Sequence, residues 1–225
     1  MSSLGPKKEL LIYFAEVAKA ASHAHRLELL EYIAQGERGV EALAKLAGLS
    51  VANASQHLQQ LRRAGLVTTR REGNYVLYRL SDDAVVRLLA SLREIAERNS
   101  ADAQRVMRSY FHARDDLEPV SREGLLERLR TNSVVLLDLR PEDEFALGHL
   151  PHAINIPLPE LARHLAELPH DKEIIAYCRG PYCVFSFEAV AALRKHGFTA
   201  RRLQDGYPEW KAAGLPVEGL VAEPA

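Results

Sequence analysis

The 225-residue chain is 47% hydrophobic and 26% charged with a net charge of −1, a globular balance that excludes a disordered or fibrous polymer. Only two cysteines are present, Cys178 and Cys183, which argues against a secreted disulfide scaffold and for a reducing, cytoplasmic setting. No apolar run approaches membrane-spanning length and residues 1–8 lack a signal-peptide pattern, so no membrane partner is expected.

Charge is unevenly divided. Residues 1–115 hold 17 Lys and Arg against 13 Asp and Glu, a surplus of +4, whereas the remainder holds 12 against 17, or −5. A basic first half suits a nucleic-acid partner and an acidic second half a small-molecule site.

In chain order, residues 7–34 have helical periodicity with a break near Ala21 and Ser22, where Ser22 is the expected N-cap. Gly36 and Gly39 close a turn, and 40–47 reads as a short helix with Leu43 and Leu46 inward. Gly48 ends it. Ser50 caps the next helix, 51–63, on which Ala54, Leu58 and Leu61 fall on one face. After Gly65, residues 66–70 and 75–80 alternate as two strands around the hairpin turn 71–74. A long helix is expected from Asp82 to about Arg114, with Val85, Leu88, Leu89, Leu92, Ile95 and Ala96 on one stripe. Glu118-Pro119 breaks the pattern and sets the domain limits at 1–117 and 118–225.

The second part alternates differently. Helices are expected at 121–130, 142–147, 159–168, 185–196 and 207–213. Strands are expected at 134–139, 173–177 and 200–203, with an extended segment at 153–158. Such alternation implies an α/β domain whose parallel sheet has helices on both faces.

The order helix, turn, capped helix, glycine, hairpin in the first hundred residues resembles the ArsR-type winged helix-turn-helix repressors. The resemblance rests on Leu43-Ala44-Lys45-Leu46-Ala47-Gly48-Leu49-Ser50, the helix after it, and the hairpin Arg70-Arg71-Glu72-Gly73-Asn74-Tyr75. A capped helix with one free polar face fits the major groove, where Asn53, Ser55, Gln56, His57 and Gln60 would meet base edges. Arg62, Arg63, Arg70 and Arg71 would lie near phosphates, and Asn74 and Tyr75 at the hairpin tip near the backbone or minor groove. His57 also reads as a cap or packing residue. The resemblance implies a homodimer on palindromic double-stranded DNA, joined through the apolar stripes of 7–20 and 82–114. Residues 1–115 contain no cysteine and Asp82-Asp83-Ala84-Val85 lacks the paired histidines of the family's dimer-interface zinc sites. His23 and His25 are two apart and His112 lies far along the chain, which favours isolated surface or packing histidines over a metal site, so no metal and no cofactor are expected.

An apolar run ends at Tyr177-Cys178-Arg179-Gly180-Pro181-Tyr182-Cys183-Val184 and a helix follows. A cysteine at a strand end, facing loop N–H groups and a helix N-terminus, is where a thiolate is stabilised. Three ordered motifs over 120–218 resemble the rhodanese fold. These are Leu137-Asp138-Leu139-Arg140-Pro141 through Gly148-His149, the Cys178 loop, and Asp205-Gly206-Tyr207-Pro208-Glu209-Trp210. The resemblance implies that Cys178 attacks a sulfane sulfur and holds it as a persulfide for a thiol acceptor. Asp138 and Arg140 would support the loop, and Arg179 reads either as an attractor of an anionic donor such as thiosulfate or as a solvated surface arginine. Cys183 reads as a partner of Cys178 (a disulfide, a polysulfide bridge or a resolving thiol) or as an inward-facing start of the helix. The sixth residue after Cys178 is Val184 and no arginine follows before Arg194, which disfavours the phosphatase chemistry of related folds.

The expected protein is a transcriptional repressor whose operator binding follows the sulfur or redox state of Cys178, with polysulfide or thiosulfate as donor. Two alternatives stay open: a sulfurtransferase with an independent autoregulatory DNA-binding domain, and a rhodanese-like docking domain without turnover.

Overall fold

The computed structural model describes residues 5–112 and 119–219, the side chain of His112 excepted. The chain divides into two compact units, Met1–Val85 and Val86–Ala225. The expected helix end at Arg114 and the break at Glu118 lie outside the described residues.

The first unit opens with α1 (Pro6–Ala21) and α2 (Ala24–Ala34). Ser22 does not cap α2. It terminates α1, donating its hydroxyl to the Lys19 carbonyl at 2.8 Å, and the N-cap is His23, whose ring accepts from the His25 N–H. Arg26, buried to 8% exposure, turns back to donate to the Ala20 and Lys19 carbonyls. A cation thereby meets the unsatisfied C-terminal carbonyls of α1.

Strand β1 (Arg38–Gly39) then leads into α3 (Val40–Leu46), and α4 (Val51–Arg63) begins at Ser50, whose hydroxyl accepts from Asn53 N–H at 3.2 Å. The hairpin consists of β2 (Val67–Glu72) and β3 (Tyr75–Leu80). Its strands pair antiparallel to Glu72↔Tyr75, so the expected four-residue turn tightens to two, with Gly73 at φ 58° where a side chain would strain. Residues 38–39, expected as part of a turn, pair with β3 and complete a sheet of order β1-β3-β2. Leu29, Leu30, Leu43, Leu58 and Leu61 are fully buried in this unit, as their helical spacing demands.

The long helix is broken into pieces. Helix α5 (Ala84–Asn99) stops at Ser100, which caps α6 (Ala101–Val106) by accepting from Ala103 N–H, and a π-helical turn, Met107–His112, follows. Serine competes for backbone hydrogen bonds and favours such a cap over a helix interior.

The rest of the second unit is α7 (Arg122–Arg130), β4 (Val134–Asp138), α8 (Glu142–Leu147), β5 (Ile154–Asn155), α9 (Leu161–His164), β6 (Glu173–Tyr177), α10 (Val184–Lys195), β7 (Ala200–Arg202) and α11 (Tyr207–Ala212). The strands form a parallel sheet of order β5-β4-β6-β7. The region expected as one helix at 159–168 is a short α-helix flanked by 3₁₀ turns. Alternate residues feed two cores: Leu137, Ile174, Ala176 and Cys178 pack with α9 and α10, while Leu136, Ile175 and Tyr177 pack with α7 and α11. That two-sided burial explains why β4 and β6 read as continuous apolar runs. No helix among the described residues is long and apolar enough to cross a membrane.

Replacing Ser50 by Ala removes the α4 cap and should destabilise the chain by about 1 kcal/mol. The exposed Gln56→Ala change should stay within about 0.5 kcal/mol. Urea denaturation of the two variants checks the contrast.

Candidate functional site

The side chains expected to function gather in two places. The first is the outer face of α4. Asn53, Gln56, Arg62 and Arg63 are exposed there and Ser55 is half-buried. Gln59, not singled out from the sequence, is exposed as well. The 100° helical step puts it beside Gln56 and Arg63, opposite buried Leu58 and Leu61. That opposition was the signal available in the sequence. Gln60 is exposed but tethered, since its side-chain oxygen accepts from Arg26 Nη1 at 2.7 Å.

His57 turns away from this face. Its ring lies 4.6 Å from His23 and 5.8 Å from His25, centroid to centroid. Its buried Nδ1 has no hydrogen-bond partner among the described residues. Burial first, then the nearby His23, Arg26 and His25, hold its pKa below the usual histidine value. The packing role open in the sequence is the one this geometry favours. Three imidazoles in one cluster invite the thought of a metal, but no group of His, Cys, Asp or Glu among the described residues is arranged to hold one.

On the hairpin, Asn74 and Tyr75 are exposed at the tip, Tyr75 to 65%. Arg70 is held by Glu37 at 2.8 Å and Glu72 at 3.3 Å, so of the four arginines expected near phosphates it is the one already neutralised. Arg62, Arg63 and Arg71 pair with no carboxylate among the described residues.

The second place is the loop 178–183, between β6 and α10. Cys178 is 2% exposed at the end of β6, and Cys183 is the half-buried N-cap of α10. The two are joined as a disulfide with Cα atoms 6.1 Å apart, a separation that disulfides span. Cys183 is thus both the partner of Cys178 and an inward-facing start of α10, packed against the core. The loop is closed by Cys183 N–H donating to Gly180 O at 3.2 Å, and Tyr207 N–H donates to Cys178 O at 3.3 Å. Pro181 and Val184 are half-buried.

Arg179 is not a solvated arginine. Its guanidinium forms a fork on Glu144, with contacts of 2.7 and 2.9 Å, and Glu144 is 1% exposed. Glu144 was not anticipated. It sits on α8, 35 residues away, and only its placement between Arg140 and Phe145 hinted at it.

Below the loop, Asp138 and Arg140 are both wholly buried. Arg140 donates Nη2 to Asp138 at 2.6 Å and to the Gly148 carbonyl at 2.7 Å. Burial alone would lower the Arg140 pKa, but the hydrogen bond and charge of Asp138 outweigh it and raise it. The guanidinium also stacks 4.3 Å from the Tyr207 ring centroid. Burial holds the Tyr177 hydroxyl well above the usual tyrosine range, so it stays a neutral acceptor for Leu150 N–H at 3.1 Å. A Cβ on Gly206 would lie 2.6 Å from the Gly180 Cα, so the loop rests directly on glycine backbone.

Helix α5 reaches the same loop. Arg93 pairs with Glu209, whose other oxygen accepts from Gly206 N–H at 3.1 Å. Tyr182 hydrogen-bonds Glu97, and burial first, then this carboxylate, raise its pKa far above the usual tyrosine value. A cleft of about 930 Å³ borders Pro181 and Tyr182, with Arg93, Arg122, Phe187 and Arg202 in its walls.

Two outcomes test these geometries. Because the folded pKa of His57 is depressed, the unfolded chain binds its proton first as pH falls below about 6.5. Stability is thus full above that value and declines as pH falls through the folded one. Thermal melts should show a smaller loss of Tm between about pH 7.5 and about pH 5.5 for His57→Gln than for the parent. Asp138→Asn leaves Arg140 buried without its counter-charge and should destabilise by about 3–5 kcal/mol, read by denaturant titration.

Comparison with known proteins matches both parts. The family model for the bacterial regulatory protein, arsR family, matches residues 24–69, and the rhodanese-like domain model matches residues 121–213. The chain is 43% identical over 212 residues to the HTH-type transcriptional regulator Rv0324 of Mycobacterium tuberculosis, covering 94% of this chain and 93% of that one. A sulfurtransferase of Allochromatium vinosum is 32% identical over 100 residues, 44% of this chain and 92% of its own. Among solved structures, the winged helix-turn-helix domain of Mb0332 from Mycobacterium bovis is 39% identical, covers 45% of this chain and 95% of that one, and has a TM-score of 0.41. With matched identity along nearly the whole chain, and with both domain models in the same order, the protein belongs to the ArsR-family transcriptional regulators that carry a C-terminal rhodanese-like domain.

Proposed function

We propose that this DNA-binding regulator is a repressor whose rhodanese-like domain accepts sulfane sulfur on Cys178, and that the loading changes operator affinity. The observation that carries the reading is the position of Cys178. It sits at the end of β6, on the N-terminal side of α10, in a loop whose other cysteine is within bonding distance. Such a position favours thiolate and persulfide anions through the helix dipole and loop amides. The donor would be thiosulfate or polysulfide and the acceptor a thiol. In this reading Arg179 acts through Glu144 to hold the loop rather than by binding the donor, and Asp138 and Arg140 support it from below.

On the DNA side, α4 would enter the major groove with Asn53, Ser55, Gln56 and Gln59 toward base edges. Arg62, Arg63 and Arg71 would lie at phosphates and Asn74 at the wing tip. Exposed Leu10, Leu11 and Phe14 on α1 and exposed Leu92 and Ile95 on α5 are more apolar surface than a monomer usually leaves bare. They support residues 1–117 as a dimerisation module that sets two α4 helices on a palindromic site, in the cytoplasm. Coupling needs an element that both sites bias. Helix α5 is the candidate, because Glu97 binds Tyr182 inside the loop and Arg93 binds Glu209 behind it.

The likeness to the Allochromatium sulfurtransferase favours a second reading, turnover independent of DNA binding. One experiment separates them: mass spectrometry of the reduced protein after thiosulfate or polysulfide, paired with a gel shift on its own promoter. A one-sulfur gain on Cys178 with altered DNA binding, both lost in Cys178→Ser, is the expected result. Sulfur gain with unchanged DNA binding leaves the second reading. No gain removes both.

A further inference from the structure

Cys183 has no part in the transfer of sulfur from a donor to an external thiol, yet the fold places it closer to Cys178 than any acceptor from solution can come. Cys178 is 2% exposed, so an external thiol must approach through the loop. Cys183 is already inside it, bonded sulfur to sulfur, with Cα atoms 6.1 Å apart and five residues along the chain. A group held in attacking position acts as if present at about 10⁵ M or more, far above any cellular thiol.

Resting on the reading of Cys178 as the sulfur acceptor, we propose that Cys183 resolves the Cys178 persulfide within the loop. The protein would thereby release sulfide and lock itself as the Cys178–Cys183 disulfide. With thiosulfate, the Cys178 thiolate attacks the outer sulfur, the sulfur–sulfur bond of thiosulfate breaks, and sulfite leaves with that electron pair. The product is the Cys178 persulfide anion. The Cys183 sulfur then attacks the Cys178 Sγ, and the bond from Sγ to the outer sulfur breaks. The outer sulfur departs as hydrosulfide, carrying the electron pair and the proton of the Cys183 thiol. The sulfane sulfur is reduced to sulfide and the dithiol is oxidised to the disulfide, so atoms and electrons balance. Two thiols from solution return the pair to the dithiol: the first opens the bridge as a mixed disulfide, and the second resolves it, leaving the two external thiols joined as their own disulfide.

Regiochemistry follows from what each attack yields. Attack on the outer sulfur only moves the persulfide from Cys178 to Cys183, a reversible step with no net change. Attack on Sγ forms the bond seen in the structure and expels hydrosulfide, a weaker base than a cysteine thiolate and the better leaving group. Ring closure ties together the two ends of the loop that holds Tyr182. The state passed to α5 would therefore be dithiol against disulfide, with the persulfide a transient.

The test is a single turnover of the full-length, pre-reduced protein with inorganic thiosulfate and no added thiol, following sulfide release and intact mass together. The parent should release about one equivalent of sulfide per chain and lose both free thiols. In Cys183→Ser the mass should keep one extra sulfur on Cys178, with sulfide release down by more than about tenfold. Cys183→Ala serves as a second variant, and both are checked for the parental circular dichroism. A parent that keeps a stable persulfide beside a free Cys183, or a Cys183→Ser protein that releases sulfide at the parental rate, overturns the inference and leaves Cys178 as acceptor. Absence of any sulfur gain or sulfide from the parent and both variants overturns the acceptor reading itself.

Discussion

Arg140 has no exposure to solvent, and the architecture around the cysteine loop follows from having to satisfy that one charge. A guanidinium in such a place needs a counter-ion and acceptors on all sides. Asp138 supplies the charge from the last residue of β4, Gly148 supplies a carbonyl, and Tyr207 supplies a ring face. Meeting those demands brings together the end of β4, the turn after α8 and the start of α11. Gly148 must be small here, since a Cβ would come within 2.9 Å of the Tyr207 ring carbon Cζ. The end of β6 is then the remaining side of the cage, and Cys178 leaves from it.

A second charged set acts above the first. Glu144 is as buried as Arg140 and is matched by Arg179, the residue directly after Cys178. Glu209 caps Gly206 and meets Arg93 from α5. These pairs define where the loop backbone runs, because Gly206 admits no atom between itself and Gly180. Buried ion pairs add little net stability over apolar packing but are sensitive to geometry.

The first unit handles charge differently. Arg26 closes the end of α1 and fixes Gln60, while His23, His25 and His57 pack as rings and burial holds the His57 pKa down. The polar face of α4 is thus divided. Asn53, Gln56 and Gln59 are exposed to solvent, while His57 and Gln60 tie the helix to the first turn of α2. The orientation of the helix is held by the same side chains that a pattern of polar residues alone assigns to DNA.

Much of this was legible in the chain. Helix α4 was fixed by a capping serine and by Ala54, Leu58 and Leu61 at helical spacing; β4 and β6 were fixed by apolar runs; the hairpin was fixed by its glycine. These signals act within a few residues, so a linear reading reaches them. The motifs that resemble the two families also stand in the sequence, and so does the cysteine pair. Tertiary structure alone decided which way His57 turns, that Glu144 takes Arg179 across 35 positions, and that α5 reaches the loop through Arg93 and Glu209, 116 positions apart. It also decided that Ser100 splits the long helix and that Cys183, packed against the core, bonds Cys178. Local spacing determines which face of an element is apolar. The partner of a buried charge depends on strand register and on the crossing of distant elements, and no short window of sequence contains either.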